Sequence, residues 1–280
     1  MTVPDPLNST EPAVGVTVLG SGSQGNAIVV HTVGAAILVD AGFSRKEIIA
    51  RMLKSNVSPE IIKAILISHE HGDHISGAKL LADSFGIPTY GTSETLKHLH
   101  IYEKLGRDVK IFESGSVFNV GSFEIRPFSV PHDAADPVGF VVTCQRVKVG
   151  IATDMGHLSA LCLKRLSGCD ALIIESNHDV EMQKNSERAM HLKRRVLGKH
   201  GHLNNDDAMS ALPHLISRNT RFLCLSHLSS ECNSQELVRK LAENKLAELN
   251  RPDILLSIAD QLIPLPTVWM NSSEPELCVF

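Results

Sequence analysis

Residues 65–74 read Ile65-Leu66-Ile67-Ser68-His69-Glu70-His71-Gly72-Asp73-His74, and this stretch decides how the chain is interpreted. An apolar run from Ala64 to Ser68 predicts a buried strand, and three histidines and an aspartate follow it within six positions. Alternate side chains of an extended chain point to the same side, so His69 and His71 can reach one cation. Asp73 and His74, beyond the glycine, can face a second cation. Imidazole with carboxylate is a ligand set for Zn²⁺, Mn²⁺ or Fe, whereas Ca²⁺ prefers oxygen ligands alone.

Three other apolar runs also end in a residue that can bind a metal. Val149–Ile151 leads to Asp154, Phe222–Leu225 leads to His227, and Phe128–Val130 leads to His132. Taken singly, such residues are more often caps or turn residues than ligands. Together with residues 69–74 they complete two coordination spheres. The sequence therefore predicts that the carboxyl ends of four strands meet at one metal site.

The overall composition is that of a globular protein. The chain has 280 residues, 43% hydrophobic and 21% charged, which excludes collagen-like, disordered and coiled-coil classes. Its formal net charge of −4 means that any nucleic-acid contact must use a local basic patch. Lys193, Arg194 and Arg195 form the densest such patch, although runs of this kind are usually solvated helix faces.

The chain shows no sign of a membrane or secreted location. No apolar run reaches the roughly 18–20 residues that a membrane helix needs, and the start MTVPDPLNSTEP lacks the features of a secretory signal. The six cysteines form no CxxC pair, which favours buried free thiols in a reducing compartment. We therefore expect a cytoplasmic protein without a membrane partner.

The alternation of β-rich and helical segments predicts sheets covered by helices in one α/β domain spanning residues 1–280. Residues 1–12 are expected to be loose, and residues from about 261 to 280 to form an edge strand and a tail. The predicted strands are Val14–Leu19, Ala27–His31, Ala36–Asp40, Ala64–Ser68, Ala171–Glu175 and Phe222–Ser226, with a strand-rich section over residues 110–151. The predicted helices are Arg45–Lys54, Ile75–Phe85, Ala160–Leu166, Arg188–Leu197, Asp206–Leu215 and Gln235–Leu249, with Met190, Val196 and Leu197 as the buried residues of the basic helix.

With the HxHxDH motif and a later His, Asp and His in that order, the chain resembles the metallo-β-lactamase fold. The resemblance implies an αββα sandwich, in which two mixed β-sheets are flanked by helices and two divalent metal ions lie at one edge. It assigns His69, His71 and His132 to one metal, Asp73, His74 and His227 to the other, and Asp154 to a bridge between them. A bridging Asp, where the antibiotic-hydrolysing members carry Cys, implies the phosphodiesterase type of centre.

Other segments resemble the YycJ/WalJ branch of that family, which implies 5′→3′ exonuclease action on double-stranded DNA. These segments are Gly20–Asn26, Val39–Gly42, His132–Phe140, Glu175–Asp179 and Gly201–Asn205. One stretch departs from the branch, which carries an aromatic Tyr-Pro-Trp-like sequence before the position of Gly201. Here that stretch is Ser186-Glu187-Arg188-Ala189-Met190-His191, which puts part of the substrate-facing surface in doubt.

Two metals about 3.5–4 Å apart lower the pKa of a bridging water, which makes hydroxide available near neutral pH. Asp73 is either a ligand only or also the group that orients the water and takes its proton. His178 and His202 each follow a secondary-structure element and have polar neighbours. Either can protonate the leaving oxygen or hold a phosphate, and the alternative is a cap or turn histidine.

The glycine-rich segment Ser21–Asn26 has two interpretations. Its backbone N–H groups can turn toward a phosphate, with Ser23 and Asn26 as substrate-binding residues. Otherwise it is a tight turn between two strands. Asn204, two residues after His202, is the remaining substrate-binding candidate.

These features together predict a dinuclear metal-dependent hydrolase of phosphodiester bonds, with a DNA exonuclease as the preferred activity. An RNA-processing or cyclic-nucleotide phosphodiesterase would share every ligand, and a lactone or thioester hydrolase would use the same site. A binding module that has lost its chemistry is disfavoured, because all seven ligand positions are filled.

Overall fold

The computed structural model describes residues 13–98, 105–271 and 278–279, the last two as backbone only. The loose start expected over residues 1–12 lies outside the described residues, and so do residues 272–277 and 280 of the expected tail. Within the described part of the chain, no helix is both long enough and apolar enough to cross a membrane.

Two mixed β-sheets form the centre of the molecule. The strands are β1 (Ala13–Gly20), β2 (Ala27–His31), β3 (Ala36–Val39), β4 (Ile62–Leu66), β5 (Thr89–Thr92), β6 (Val109–Phe112), β7 (Phe118–Val120), β8 (Phe123–Ser129), β9 (Val138–Cys144), β10 (Val147–Ala152), β11 (Ala171–Glu175), β12 (Phe222–Ser226), β13 (Leu255–Ile258), β14 (Val268–Asn271) and β15 (Cys278–Val279). The first sheet has the order β15-β14-β1-β2-β3-β4-β5-β6, and the second has the order β13-β12-β11-β10-β9-β8-β7. In each sheet, antiparallel pairs give way to parallel ones: β3 to β6 are parallel in the first, and β10 to β13 in the second.

Helices cover the outer faces of both sheets. They are α1 (Arg45–Lys54), α2 (Gly72–Ile75), α3 (Ala78–Phe85), α4 (Ser93–Lys97), α5 (Ala160–Leu166), α6 (Val180–Asn185), α7 (Met190–Val196), α8 (Asn205–Leu215) and α9 (Gln235–Glu248), with a short 3-10 helix at Pro59–Ile61. The apolar faces of α1 and α3 pack on the first sheet, and those of α5, α8 and α9 pack on the second. A third apolar cluster fills the space between the sheets. This arrangement confirms the predicted sandwich of two mixed sheets flanked by helices.

Most predicted elements match the structure, and five of them match at both ends. These five are Ala27–His31, Arg45–Lys54, Ala160–Leu166, Ala171–Glu175 and Phe222–Ser226. The predicted helix Ile75–Phe85 is confirmed over Ala78–Phe85, but its predicted start is wrong, because α2 and α3 lie on either side of Gly77. A Cβ atom on Gly77 would lie 2.0 Å from the backbone oxygen of Phe43, and the Gly77 N–H donates to the carbonyl of Ala41. This close approach interrupts the helix.

The buried side expected for the basic helix is also absent. Helix α7 has no buried residue, and Met190 and Leu197 are 61% and 40% exposed. The described contacts of α7 are polar ones: the Lys193 ammonium donates to the carbonyl of Lys184, and Arg195 pairs with Asp133. Met190 and Leu197 therefore remain on the surface, and Val196 is half-buried.

The strand directions bring several chain segments to one edge of the sandwich. Strands β3 and β4 run parallel in the first sheet, and β10, β11 and β12 run parallel in the second. The residues that follow these strands are Asp40, His69, Asp154 and His227, and Glu175 is the last residue of β11. In open α/β sheets ligands bind outside the carboxyl ends of such strands. Candidate chemistry is therefore expected at this edge.

Candidate metal centre

His69, His71 and His132 bring three ring nitrogens together. Nε2 of His69 lies 3.0 Å from Nδ1 of His71, and Nε2 of His132 lies 3.3 Å from the same atom. Nitrogen ligands held tetrahedrally at about 2.0–2.1 Å from a zinc ion lie about 3.3 Å from one another. The three nitrogens therefore have the spacing of ligands to one cation.

A second group lies beside the first. Oδ2 of Asp73 is 3.5 Å from Nε2 of His74 and 3.7 Å from Nε2 of His227. Asp154 stands between the groups, with Oδ1 3.8 Å from Nε2 of His132 and Oδ2 3.2 Å from Nε2 of His74. The structure thus brings together all seven predicted ligands, and Asp154 lies within 4 Å of ring nitrogens of both groups, with Oδ1 also 3.4 Å from Nδ1 of His227.

The other ring nitrogen of most of these histidines is held by a neighbour. Such contacts fix the ring and leave the facing nitrogen free to bind a cation. The partners are the Ser68 hydroxyl for His69, the Asp40 carboxylate for His74, the Gly201 carbonyl for His132 and the Glu175 carboxylate for His227, at 2.9, 2.8, 3.0 and 2.8 Å. Nε2 of His227 is buried and has no hydrogen-bond partner. An unsatisfied buried nitrogen aimed into a cluster of ligands fits a metal site.

Local backbone geometry places these side chains. His71 is the N-cap of α2, so Asp73 and His74 project from the first turn of a helix. Gly42 permits the close approach of that turn, because a Cβ atom there would lie 1.6 Å from the Asp73 carbonyl oxygen. Asp40 and His227 have φ angles of 59° and 56°, in the left-handed region that is uncommon for residues other than glycine. Such conformations cluster at functional sites.

Glu175 connects the candidate ligands to a further histidine. Its Oε1 accepts hydrogen bonds from Nδ1 of His227 at 2.8 Å and from Nδ1 of His202 at 2.7 Å. Its Oε2 accepts from the backbone N–H groups of Met155 and Leu203 at 2.8 and 3.1 Å. A fully buried carboxylate with four donors is fixed in place. Glu175 therefore sets the orientation of both rings.

The electrostatics of the cluster keep its carboxylates charged. Burial opposes the ionisation of Asp73, Asp154 and Glu175, but the surrounding histidines hold the pKa of each below its usual value. Burial lowers the pKa of His69 and His132, so both rings are neutral and have a lone pair to donate. These are the protonation states that metal binding requires.

Two other cluster histidines, His74 and His227, carry raised pKa values. Burial would lower the pKa of His74, but the Asp40 and Asp154 carboxylates outweigh it. Burial is likewise outweighed at His227, mainly by Asp154, which raises its pKa to about 10. A cation bound by these two rings would displace their protons, so its affinity depends on pH.

The two candidate proton donors stand in different places. His202 is partly exposed, and its Nδ1 lies 3.7 Å from Oδ1 of Asp154, beside the ligand groups. Burial opposes protonation, but Glu175 raises the pKa of His202 above its usual value. His178 is buried, its Nδ1 contacts the Asn177 amide oxygen, and its Nε2 has no partner. The geometry favours His202 over His178 as the group that meets a substrate.

The glycine-rich segment forms a turn that is held by hydrogen bonds to other parts of the protein. Its backbone N–H groups donate to acceptors of the protein itself at Ser21, Gly22, Gln24, Gly25 and Asn26. Asn26 is buried, and its amide nitrogen lies 3.3 Å from Oδ2 of Asp73 and 3.0 Å from Nε2 of His74. Ser23 is exposed at the tip of the turn. The segment thus supports the ligands from behind, and its N–H groups do not form a phosphate cradle.

The other substrate candidates lie around the site. Asn204 is the N-cap of α8, where its side chain accepts from the Asp207 N–H. Arg195 reaches the rim of the site through its ion pair with Asp133, the residue after His132. Lys193 is engaged with the Lys184 carbonyl, whereas Arg194 is exposed.

Two buried carboxylates were not assigned a role from the sequence. Asp40 and Glu175 hold His74 and His227, and both stand at the end of an apolar strand. The same pattern pointed to Asp154 and His227. Applying it to every strand would have found both residues.

Comparisons with known proteins identify the family of the chain. A family model described as "Beta-lactamase superfamily domain" matches residues 35–227. The chain is 36% identical over 234 residues to exodeoxyribonuclease YycJ of Bacillus anthracis, covering 83% of this chain and 89% of that protein. It is 35% identical over 236 residues to exodeoxyribonuclease WalJ of Streptococcus pneumoniae, covering 83% and 88%.

Solved structures show the same fold at lower sequence identity. The metallo-β-lactamase fold protein YhfI of Bacillus subtilis superimposes with a TM-score of 0.68 at 19% identity, covering 91% of this chain and 99% of that one. This likeness supports the fold of the sandwich.

Proposed function

Since the chain belongs to the metallo-β-lactamase superfamily of metal-dependent hydrolases, in the branch of YycJ and WalJ, we propose that it is a dinuclear phosphodiesterase. The proposed activity is 5′→3′ exonuclease action on double-stranded DNA. One observation carries the dinuclear assignment: the Asp154 carboxylate lies between two ligand groups, 3.8 Å from Nε2 of His132 and 3.2 Å from Nε2 of His74. The two relatives named exodeoxyribonucleases support nucleic acid as the substrate class.

The residues present fit two divalent cations. His69, His71 and His132 would hold one, Asp73, His74 and His227 the other, and Asp154 both. Two bound cations supply an activated water and neutralise the negative charge that builds on a phosphate under attack. The same His and Asp set accepts Zn²⁺, Mn²⁺ or Fe.

The remaining chemistry falls to side chains of the chain. Asp73, with 23% of its side chain exposed, is placed to orient the attacking water and to accept its proton. His202 is placed to protonate the leaving oxygen, because Glu175 fixes its Nδ1 and raises its pKa. Ser23 at the turn tip and Arg194 and Arg195 on α7 are the proposed contacts to the rest of the substrate.

A single domain in the cytoplasm completes the proposal. The apolar cluster between the sheets draws on strands from residues 14 to 270, which is the pattern of one continuous domain. The five described cysteines, Cys144, Cys162, Cys169, Cys224 and Cys232, are buried free thiols. Buried free thiols are typical of reducing compartments.

A substrate panel tests the activity. The metal-loaded protein is incubated with end-labelled duplex DNA, single-stranded DNA, RNA and a cyclic nucleotide, each with Zn²⁺, Mn²⁺ or Fe²⁺, and with a lactone and a thioester. We expect duplex DNA to be shortened from its 5′ end faster than any other substrate is consumed. The variant His69→Ala, which lacks one ligand, is the control for contaminating nuclease. Preferred hydrolysis of RNA, the cyclic nucleotide, the lactone or the thioester would contradict the proposal.

A further inference from the structure

A small cavity on the outer face of the second sheet is lined by positive side chains. It has a volume of about 180 Å³ and lies among β8, β9, β10 and the carboxyl end of α5. Its charged lining residues are Glu124, Arg126, Lys148, Lys164 and Arg165, which we call the basic pocket. The residues on either side of Arg126 and Lys148 in their strands include Ile125, Val147 and Val149 of the inner core, so both cations point outward.

The basic pocket has an excess of positive charge. Four cations and one carboxylate leave a formal charge of +3. The one ion pair within it joins Arg126 Nη2 to Glu124 Oε1 at 3.6 Å, and both side chains are more than 40% exposed, so the pair is weak. Among the residues that the structure describes, the side chains of Lys148, Lys164 and Arg165 have no acidic partner within 4 Å.

One donor in the basic pocket is buried without an acceptor. Nε of Arg165 is inaccessible to solvent and makes no hydrogen bond. Leaving a buried donor of a charged group unpaired is unfavourable. The negative end of the α5 dipole favours Lys164 and Arg165 near the carboxyl end of that helix. This effect leaves Nε of Arg165 unpaired, and it does not explain why Arg126 and Lys148, from two strands, lie in the same pocket. An anion bound between these elements would explain both the unpaired Nε and the two strand cations.

We propose that the basic pocket binds a phosphate group. Arginine and lysine together suit phosphate, since the guanidinium offers paired donors and the ammonium a point charge. The volume is that of a small anion rather than of a drug-sized ligand, for which pockets of about 300–1,000 Å³ are usual. The absence of aromatic side chains among the lining residues argues against recognition of a base.

The position of the basic pocket favours a backbone phosphate of the nucleic-acid substrate over a free phosphate. Lys148 lies near the start of β10 and precedes the candidate ligand Asp154 by six residues, or at most about 20 Å of extended chain. Nucleic acid advances about 3.4 Å per nucleotide of one strand, so 20 Å corresponds to about six nucleotides. The basic pocket would then hold a phosphate about six nucleotides from the reacting one. This choice of source rests on the proposed function.

Salt titrations of duplex binding test the site. The variant is Lys148→Gln/Lys164→Gln/Arg165→Gln, and the matched control is Lys54→Gln/Lys63→Gln/Lys79→Gln, which removes the same charge from exposed lysines on the side of the first sheet. Binding is measured on the metal-loaded protein with a duplex protected by terminal phosphorothioates. Each lost phosphate contact flattens the slope of log K against log salt by about 0.9, so we expect a reduction of about 0.9 in the variant, which loses one phosphate site, and none in the control.

A second arm separates the two sources of phosphate. Equilibrium dialysis with inorganic phosphate is expected to show one bound equivalent fewer in the variant than in the wild type. Loss of that equivalent with an unchanged duplex slope would support the site and assign it to free phosphate. An unchanged slope together with unchanged phosphate stoichiometry would overturn the site.

Two further measurements separate loss of the phosphate site from loss of the fold or of the metal centre. The double variant Lys148→Gln/Lys164→Gln changes only exposed side chains, so it tests the site should Arg165→Gln disturb the fold. Hydrolysis of a small chromogenic phosphodiester needs only the metal centre and is expected to be equal in wild type and variants. If the wild type hydrolyses neither the chromogenic phosphodiester nor DNA, the proposed function is wrong. Equilibrium dialysis with phosphate then still tests whether the basic pocket binds phosphate.

Discussion

At Asp154, one side chain touches both candidate ligand groups, so its removal distinguishes a shared centre from two separate ones. Asp154→Ala is expected to lower the occupancy of both metal sites, because each loses a ligand oxygen. His227→Ala is expected to spare the site formed by His69, His71 and His132. Elemental analysis of the dialysed proteins measures this difference. Two full metal equivalents in Asp154→Ala would contradict the bridge.

Asp73 is both a candidate ligand and a candidate base, and Asp73→Asn separates these roles. Asn keeps the shape but loses the charge and the basicity. If Asp73 takes the proton from the attacking water, turnover falls by roughly 10²–10⁴, the contribution of general-base catalysis. The loss is expected to persist at metal concentrations that restore occupancy. Full recovery with added Mn²⁺ or Zn²⁺ would leave Asp73 a ligand only.

Glu175 is a positioning residue that holds His202 and His227 through one oxygen. Glu175→Gln removes the charge that both rings contact, and residues of this kind typically change metal affinity or activity by about 10–100-fold when substituted. We expect a loss of this size in affinity for the metal bound by His227, measured by competition with a chelator. The exposed Glu181→Gln provides the control. Equal metal affinity in Glu175→Gln and wild type would contradict the positioning role.

Among the described helices, α7 stands apart because none of its residues is buried and because Arg195 reaches the rim of the site. Two of its cations already have partners within the protein, since Arg195 pairs with Asp133 and Lys193 donates to the Lys184 carbonyl. Replacing Lys193, Arg194 and Arg195 by Ala is expected to flatten the salt dependence of duplex binding by up to about 2–3. Hydrolysis of a small phosphodiester should change little. An unaltered slope would make α7 a solvated helix only.

Two short segments show how elements position the ligands. The turn between β1 and β2 packs against the first turn of α2 through the Asn26 N–H, which donates to the carbonyl of Asp73 at 2.8 Å. The break at Gly77 then turns the chain so that α3 can cover the first sheet. Because these contacts are backbone contacts, the placement of Asp73 depends on the loops and on the glycines that let them approach.

For the whole molecule, the pH dependence of stability has an identifiable source outside the metal centre. His31 is 3% exposed, with Nε2 3.2 Å from the Thr17 hydroxyl and its ring packed against Trp269. Burial, partly offset by the Thr32 carbonyl, lowers the pKa of His31 to about 4. The unfolded chain therefore binds a proton near pH 6.5 that the folded protein does not bind until about pH 4. Stability is lost as the pH falls through this window.

Urea unfolding of the wild type and His31→Gln at pH 7 and pH 5 measures this effect. Between these values the histidine is expected to account for about 2 kcal/mol of lost stability in the wild type, at about 1.4 kcal/mol per pH unit below 6.5. Glutamine does not titrate, so the variant lacks this contribution, while the other histidines act equally in both proteins. The same loss in both proteins would show that His31 titrates normally in the folded state.

The sequence by itself determined the layers of the fold and the candidate ligands. Buried parallel strands are near-continuous apolar runs, so most of β4 and β10 and all of β12 were visible as such, and the polar residue after each was visible as a departure from the run. The residues from His69 to His74 are close in the sequence, so their spacing alone predicts that their side chains lie near one another. Five elements were located at both ends for the same reason, because their periodicity and flanking residues are local properties.

Tertiary structure alone decided what depends on contacts between distant segments. Glu175 holds both His202 and His227, and Asn26 is enclosed behind Asp73, because residues 27 to 52 positions apart in the sequence approach each other. The exposure of α7 depends in the same way on which distant segments pack near it. The basic pocket likewise combines β8, β10 and α5, whose cations look like ordinary surface charge in the sequence. Periodicity records which face of an element is buried, but the partner of that face, and the shape of the space between elements, arise only when the sheets and helices pack.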